Sequence, residues 1–188
     1  MSIVTKNRSI VRILLATVLV LLIPLAAMQF SDEVNWNTFD FAIAAVLLIG
    51  SGLAFKFVAR KSCNFAYQVG VGVAVGSGLL LVWMNLAVGL IGSEDHPANT
   101  MYFAVLLLGF LGAICSRFRA RGMSRALFAT AIAQTLVPAV ALLIWQPPLT
   151  MGVLQVFAVS TVFAVLFAGS ALLFRHASRN AIEVQPSA

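Results

Sequence analysis

The densest group of chemically capable side chains in this 188-residue chain is Ser93-Glu94-Asp95-His96-Pro97-Ala98-Asn99. Two carboxylates beside an imidazole can bind a divalent cation or move protons near neutral pH. Asp32 and Glu33 form a second acidic pair in a stretch of similar spacing, so Asp32, Glu33, Glu94, Asp95, His96 and Asn99 make one candidate cluster. Two commoner causes compete with that reading. Acids collect in solvated connections, and Asn99 or Thr100 is well placed to cap a following helix.

A second candidate set is polar but uncharged: Asn85, Thr130, Gln134 and Gln155, each within an otherwise apolar stretch. Thr130, Gln134 and Pro138 share one helical face by their spacing. A proline at 138 has no N–H for the carbonyl one turn earlier, near Gln134, which makes that level the most plausible polar path or small-molecule pocket. The competing role is hydrogen bonding between helices, worth about 0.6 to 2 kcal/mol each in membranes.

Arg117-Phe118-Arg119-Ala120-Arg121 with Arg125 is a compact basic patch. It suits anionic lipid headgroups at about 1 kcal/mol per contact, and it equally suits a purely topological role. No catalytic, metal or cofactor residue is assigned. The chain contains no HExxH, nucleophile elbow, Walker loop or CxxC pair, and both histidines fall in connections or the tail, away from any position where a buried haem would be held. The glycines of Gly70-Val71-Gly72-Val73-Ala74-Val75-Gly76 lie inside an apolar span, where Gly72 with Gly76, or Gly109 with Gly112, let helices approach closely rather than cradle a dinucleotide.

The elements that must position these groups follow from composition. With 61% hydrophobic and 10% charged residues the chain cannot present an ordinary water-facing surface. Six apolar stretches are long enough to cross a bilayer, near 13–30, 39–57, 66–92, 100–116, 126–145 and 152–174. All twelve Lys and Arg residues fall at alternate ends of these spans, while the other connections hold five of the six acids. That sorting places both termini and the arginine patch on the cytoplasmic side. It also accounts for the net charge of +6 without nucleic acid as a partner. Cys63 and Cys115 then lie near the reducing face and are expected to be free thiols. A cleaved signal peptide over residues 1 to about 28 is the competing reading of the first span.

The chain also resembles itself. Ser31-Asp32-Glu33, Asn37-Thr38-Phe39 and Phe41-Ala42 recur as Ser93-Glu94-Asp95, Asn99-Thr100-Met101 and Phe103-Ala104, offset by 62 residues. Arg12-Ile13-Leu14-Leu15-Ala16-Thr17 is echoed by Arg125-Ala126-Leu127-Phe128-Ala129-Thr130, each followed by a mid-span proline. The pattern predicts three two-helix hairpins in an all-α, single-domain bundle.

The stretch from Trp83-Met84-Asn85-Leu86 through the Ser93–Asn99 loop to Arg121-Gly122-Met123-Ser124-Arg125-Ala126-Leu127-Phe128-Ala129-Thr130 resembles a family of small bacterial inner-membrane proteins without an assigned function. It covers about a quarter of the chain. The resemblance implies a bacterial inner-membrane location and carries over no activity, cofactor or catalytic residue.

The functional expectation is a non-enzymatic accessory or small-solute permeation protein. Its expected partners are membrane lipids and either further copies of itself or the subunits of a membrane complex, with no cofactor. The alternatives are an enzyme acting on lipid headgroups at the outer face and an assembly factor.

Overall fold

The computed structural model describes residues 3–30, 35–93, 95–148 and 150–183, with side chains described between residues 9 and 180. Among these residues every long element is helical: α1 (Ile3–Phe30), α2 (Thr38–Ala59), α3 (Phe65–Ala87), α4 (Thr100–Cys115), α5 (Ala120–Trp145) and α6 (Met151–Glu183), with a single 3-10 turn at Pro97–Asn99. All six helices are long and apolar enough to cross a membrane. The chain is a multi-pass membrane protein by that measure, as its composition requires.

The chain divides into two compact units, residues 1–57 and 58–188. Within the first, Gly52 of α2 meets Ile13 of α1 so closely that an added Cβ would stand 2.8 Å from Ile13 Cγ2. The start of α2 is held reciprocally. Asn37 Oδ1 accepts the N–H groups of Phe39 and Asp40, and Asp40 Oδ2 accepts the Asn37 N–H at 2.8 Å. These bonds satisfy amides that a helix start leaves without partners.

In the second unit α5 packs between α4 and α6, and α6 also packs on α3. Helices 3 and 4 touch only lightly, so α3 turns its main contact to α6 rather than to its sequence neighbour. Lipid gives little hydrophobic drive for helix association, so close approach and buried hydrogen bonds hold the bundle together. Gly112 lies against Ala126, and Gly109 against Thr130, where an added Cβ would meet side-chain atoms at 2.6 and 2.8 Å. The tight glycine of α3 is Gly70, which faces Phe174. Gly76, paired with Gly72 from the spacing, has open space beside it.

Three hydrogen bonds tie parts of the chain that are far apart in sequence. Tyr67 Oη donates to the Phe118 carbonyl at 2.7 Å, Tyr102 Oη and Ser160 Oγ stand 2.8 Å apart, and Ser170 Oγ donates to the Gly70 carbonyl at 2.7 Å. Tyr67 also meets Phe174 edge to face, with ring centroids 4.9 Å apart. Large apolar side chains such as Ile132, Leu136 and Leu143 of α5 point outward, toward what would be acyl chains.

Several boundaries differ from the apolar pattern. Helix 3 stops at Ala87 rather than near 92, because Gly89 and Gly92 take φ of +70° and +68°, a left-handed backbone that ends a helix. Helix 5 begins six residues before the expected 126, at Ala120, and α6 runs on to Glu183, since helix geometry continues past the lipid into polar sequence. Ser124 is therefore buried inside α5, and Gly122 also lies within that helix. The stop of α4 falls at Arg117 and Phe118, whose φ of 51° and 59° reverse the chain while the Phe118 N–H reaches back to the Ala113 carbonyl.

Candidate functional site

The end of the bundle opposite the arginine turn is built from the loop after α3, the end of α5 and the start of α6. Leaving α3, the chain makes a compact loop over residues 88–99 organised around one side chain. Asn99 is 4% exposed, and its Oδ1 accepts the N–H groups of Leu90 and Ile91, while its Nδ2 donates to the carbonyls of Ile91 and Ser93. Its full hydrogen-bonding capacity is thus spent on the loop. It is neither a cap of α4, with which its side chain makes no capping bond, nor free to ligate a cation.

His96 occupies the cap position of the 3-10 turn, where Nδ1 accepts the Ala98 N–H at 3.2 Å. Its ring meets Trp145, at the end of α5, edge to face at 5.3 Å. Beyond Trp145 the left-handed Gln146 stops α5, with its N–H on the Leu142 carbonyl, and Pro147 and Pro148 carry the chain toward α6.

These elements line a half-open cavity of about 510 Å³. Its walls include Met84 and Val88 from the end of α3, Pro138 and Leu142 from α5, and Val156 and Val159 from α6. His96, Trp145, Thr150 and Gln155 supply the polar groups. Sequence spacing assigned His96 and Gln155 to separate candidates, yet both line this one cavity. A volume in the range of drug-sized ligands, apolar walls and a few placed polar groups are the ordinary composition of a small-molecule site.

The remaining candidate residues distribute as follows. Asp95 is exposed, whereas Asp32, Glu33 and Glu94 lie outside the described residues. Among the described residues no three His, Cys, Asp or Glu side chains gather closely enough to hold a metal ion. Thr130 and Gln134 are buried on α5, and Asn85 is buried near the end of α3. Thr130 Oγ1 donates to the Ala126 carbonyl and Asn85 Nδ2 to the Leu81 carbonyl, bonds within their own helices. Among the described residues, Asn85 Oδ1 and both atoms of the Gln134 amide have no partner. None of these three residues lines the cavity, which stops at Pro138, one turn above Gln134, and at Met84, beside Asn85.

Arg117, Arg119, Arg121 and Arg125 are all exposed at the far end of the bundle, around the turn pinned by Tyr67. Cys63 and Cys115 are free and exposed. Trp145 and the two buried tyrosines had no place among the sequence candidates. An aromatic at the end of a span is also what an interfacial belt looks like, so the only signal for Trp145 was its position just before Pro147.

No protein-family model matches the chain, and no curated protein or solved structure does either.

Proposed function

We propose that this is a bacterial inner-membrane protein with both termini in the cytoplasm, acting without catalysis as an accessory protein whose outward-facing cavity binds a small, largely apolar ligand. The cavity between α3, α5 and α6 carries this reading, because it is roomy, apolar and roofed by a loop that Asn99 holds in shape. The arginine turn at the opposite end of the bundle supports that orientation.

The test uses Trp145 as the reporter in a Trp36→Phe, Trp83→Phe background, reconstituted in nanodiscs and titrated with bromooctane as an apolar quencher. Saturable quenching is expected, and Val156→Phe, which narrows the cavity, should weaken the saturable part while the protein still folds. Quenching that rises linearly with the quencher dissolved in lipid, and equally in the narrowed variant, would overturn the reading.

Small-solute permeation is the second reading, favoured by Gln134, one turn before Pro138, and by Asn85, next to Met84, whose buried amides hold unspent hydrogen-bonding groups among the described residues. It requires the cavity to extend past Pro138, and then Gln134→Leu stops solute flux into proteoliposomes.

A further inference from the structure

The cavity changes character with depth, and that gradient selects among ligands, on the reading that it is a binding site. Pro138 lies about two helical turns before Trp145, and Val159 about two turns after Met151, so the floor is about 10 to 12 Å beneath the rim. His96, Trp145 and Thr150 stand at the rim, Gln155 about halfway down, and Met84, Pro138 and Val159 at the bottom. A molecule entering from the membrane surface would meet hydrogen-bonding groups with its last atoms and hydrocarbon walls with its first.

Charge narrows the class further. Among the described residues, no Asp, Glu, Lys or Arg lines the cavity. A carboxylate, phosphate or ammonium head would therefore be desolvated there without a counter-charge, which is strongly unfavourable. At about 510 Å³ the cavity also suits one chain better than the two acyl chains of a phospholipid.

His96 adds polarity of a definite sense. Because Nδ1 is occupied in accepting the Ala98 N–H, the neutral ring carries its proton on Nε2. The ring therefore has a donor to offer, and its edge-to-face contact with Trp145 fixes the ring plane. The complementary head is an oxygen acceptor.

We infer that the cavity takes a neutral, single-chain amphiphile, tail toward Pro138 and Val159, with an ester, ketone or ether oxygen of its head on His96 Nε2–H. Gln155, whose amide both donates and accepts, serves a second oxygen further down the chain.

The test is competition against bromooctane quenching of Trp145, using methyl esters of octanoic, decanoic and dodecanoic acids, alkanes of matching length, and the free carboxylates at alkaline pH. Ester affinity is expected to rise about fourfold per added methylene until the cavity is full. At equal length the ester should bind about fivefold tighter than the alkane, as one hydrogen bond provides. Carboxylates should compete least. His96→Ser keeps an acceptor for the Ala98 N–H but loses the ring against Trp145 and has no donor at the position of Nε2, so, whatever its overall affinity, ester and alkane of equal length should bind it equally. Equal competition by ester and alkane, strong competition by carboxylate, or an ester preference that survives His96→Ser would each overturn the inference while bromooctane still binds. Absence of saturable bromooctane binding would remove the binding-site proposal itself.

Discussion

Gln134 is wholly buried, and neither atom of its amide meets a partner. Its own carbonyl also lacks the helical donor that Pro138 cannot supply. A buried polar group left without a bond costs about 1 to 3 kcal/mol, so this position is expensive for the fold. Gln134→Leu conserves the approximate volume and removes the orphaned amide. It should raise the thermal midpoint in detergent, by an amount corresponding to about 1 kcal/mol, and leave bromooctane binding intact if the residue is idle. Lost stability would mean that water or a ligand satisfies the amide in the membrane. Tyr102 is the converse case, since its hydroxyl meets Ser160 between α4 and α6. Tyr102→Phe should lower the midpoint modestly, by about 0.6 to 2 kcal/mol, the value of such bonds in membrane bundles. An unchanged midpoint would show that the hydroxyl finds equal partners in the separated helices.

At the scale of elements, the packing of α4 on α5 depends on the absence of side chains at Gly109 and Gly112. Gly112→Leu would drive a side chain into Ala126, so we expect a loss of stability of about 1 to 3 kcal/mol, read as a lower midpoint and earlier proteolysis of the arginine turn. The number of spans and their order were legible in the sequence because hydropathy and cation sorting both report on the same lipid slab. Asn99 shows where legibility ended. The 62-residue echo pairs it with Asn37, and Asn37 does cap its helix, whereas Asn99 turns its amide back onto the loop over residues 90–93. Identical residues at identical spacing diverge because Gly89 and Gly92 fold the second loop back within reach of the side chain. The cavity was hidden for a related reason. Its walls come from α3 and from the later pair α5 and α6, and Gln155 and His96 meet there because α6 begins beside the loop that Asn99 shapes.

Within residues 58–188 one end is basic and the other bears the cavity. The arginines of the α4 to α5 turn, Arg60 with Lys61 and the last turns of α6 make up the basic end. The two native thiols report on that end directly, because Cys63 precedes α3, Cys115 ends α4, and both are exposed. A thiol introduced as Gln155→Cys, with Cys63→Ser and Cys115→Ser, reports on the cavity instead. The decisive measurement is labelling by a membrane-impermeant maleimide from each side of oriented vesicles. The account predicts that the native thiols react only when the cytoplasmic face is presented, and that the thiol at 155 reacts only from the opposite face and is shielded by bromooctane. Reaction of all three positions from the same side, or a thiol at 155 indifferent to bromooctane, would contradict it.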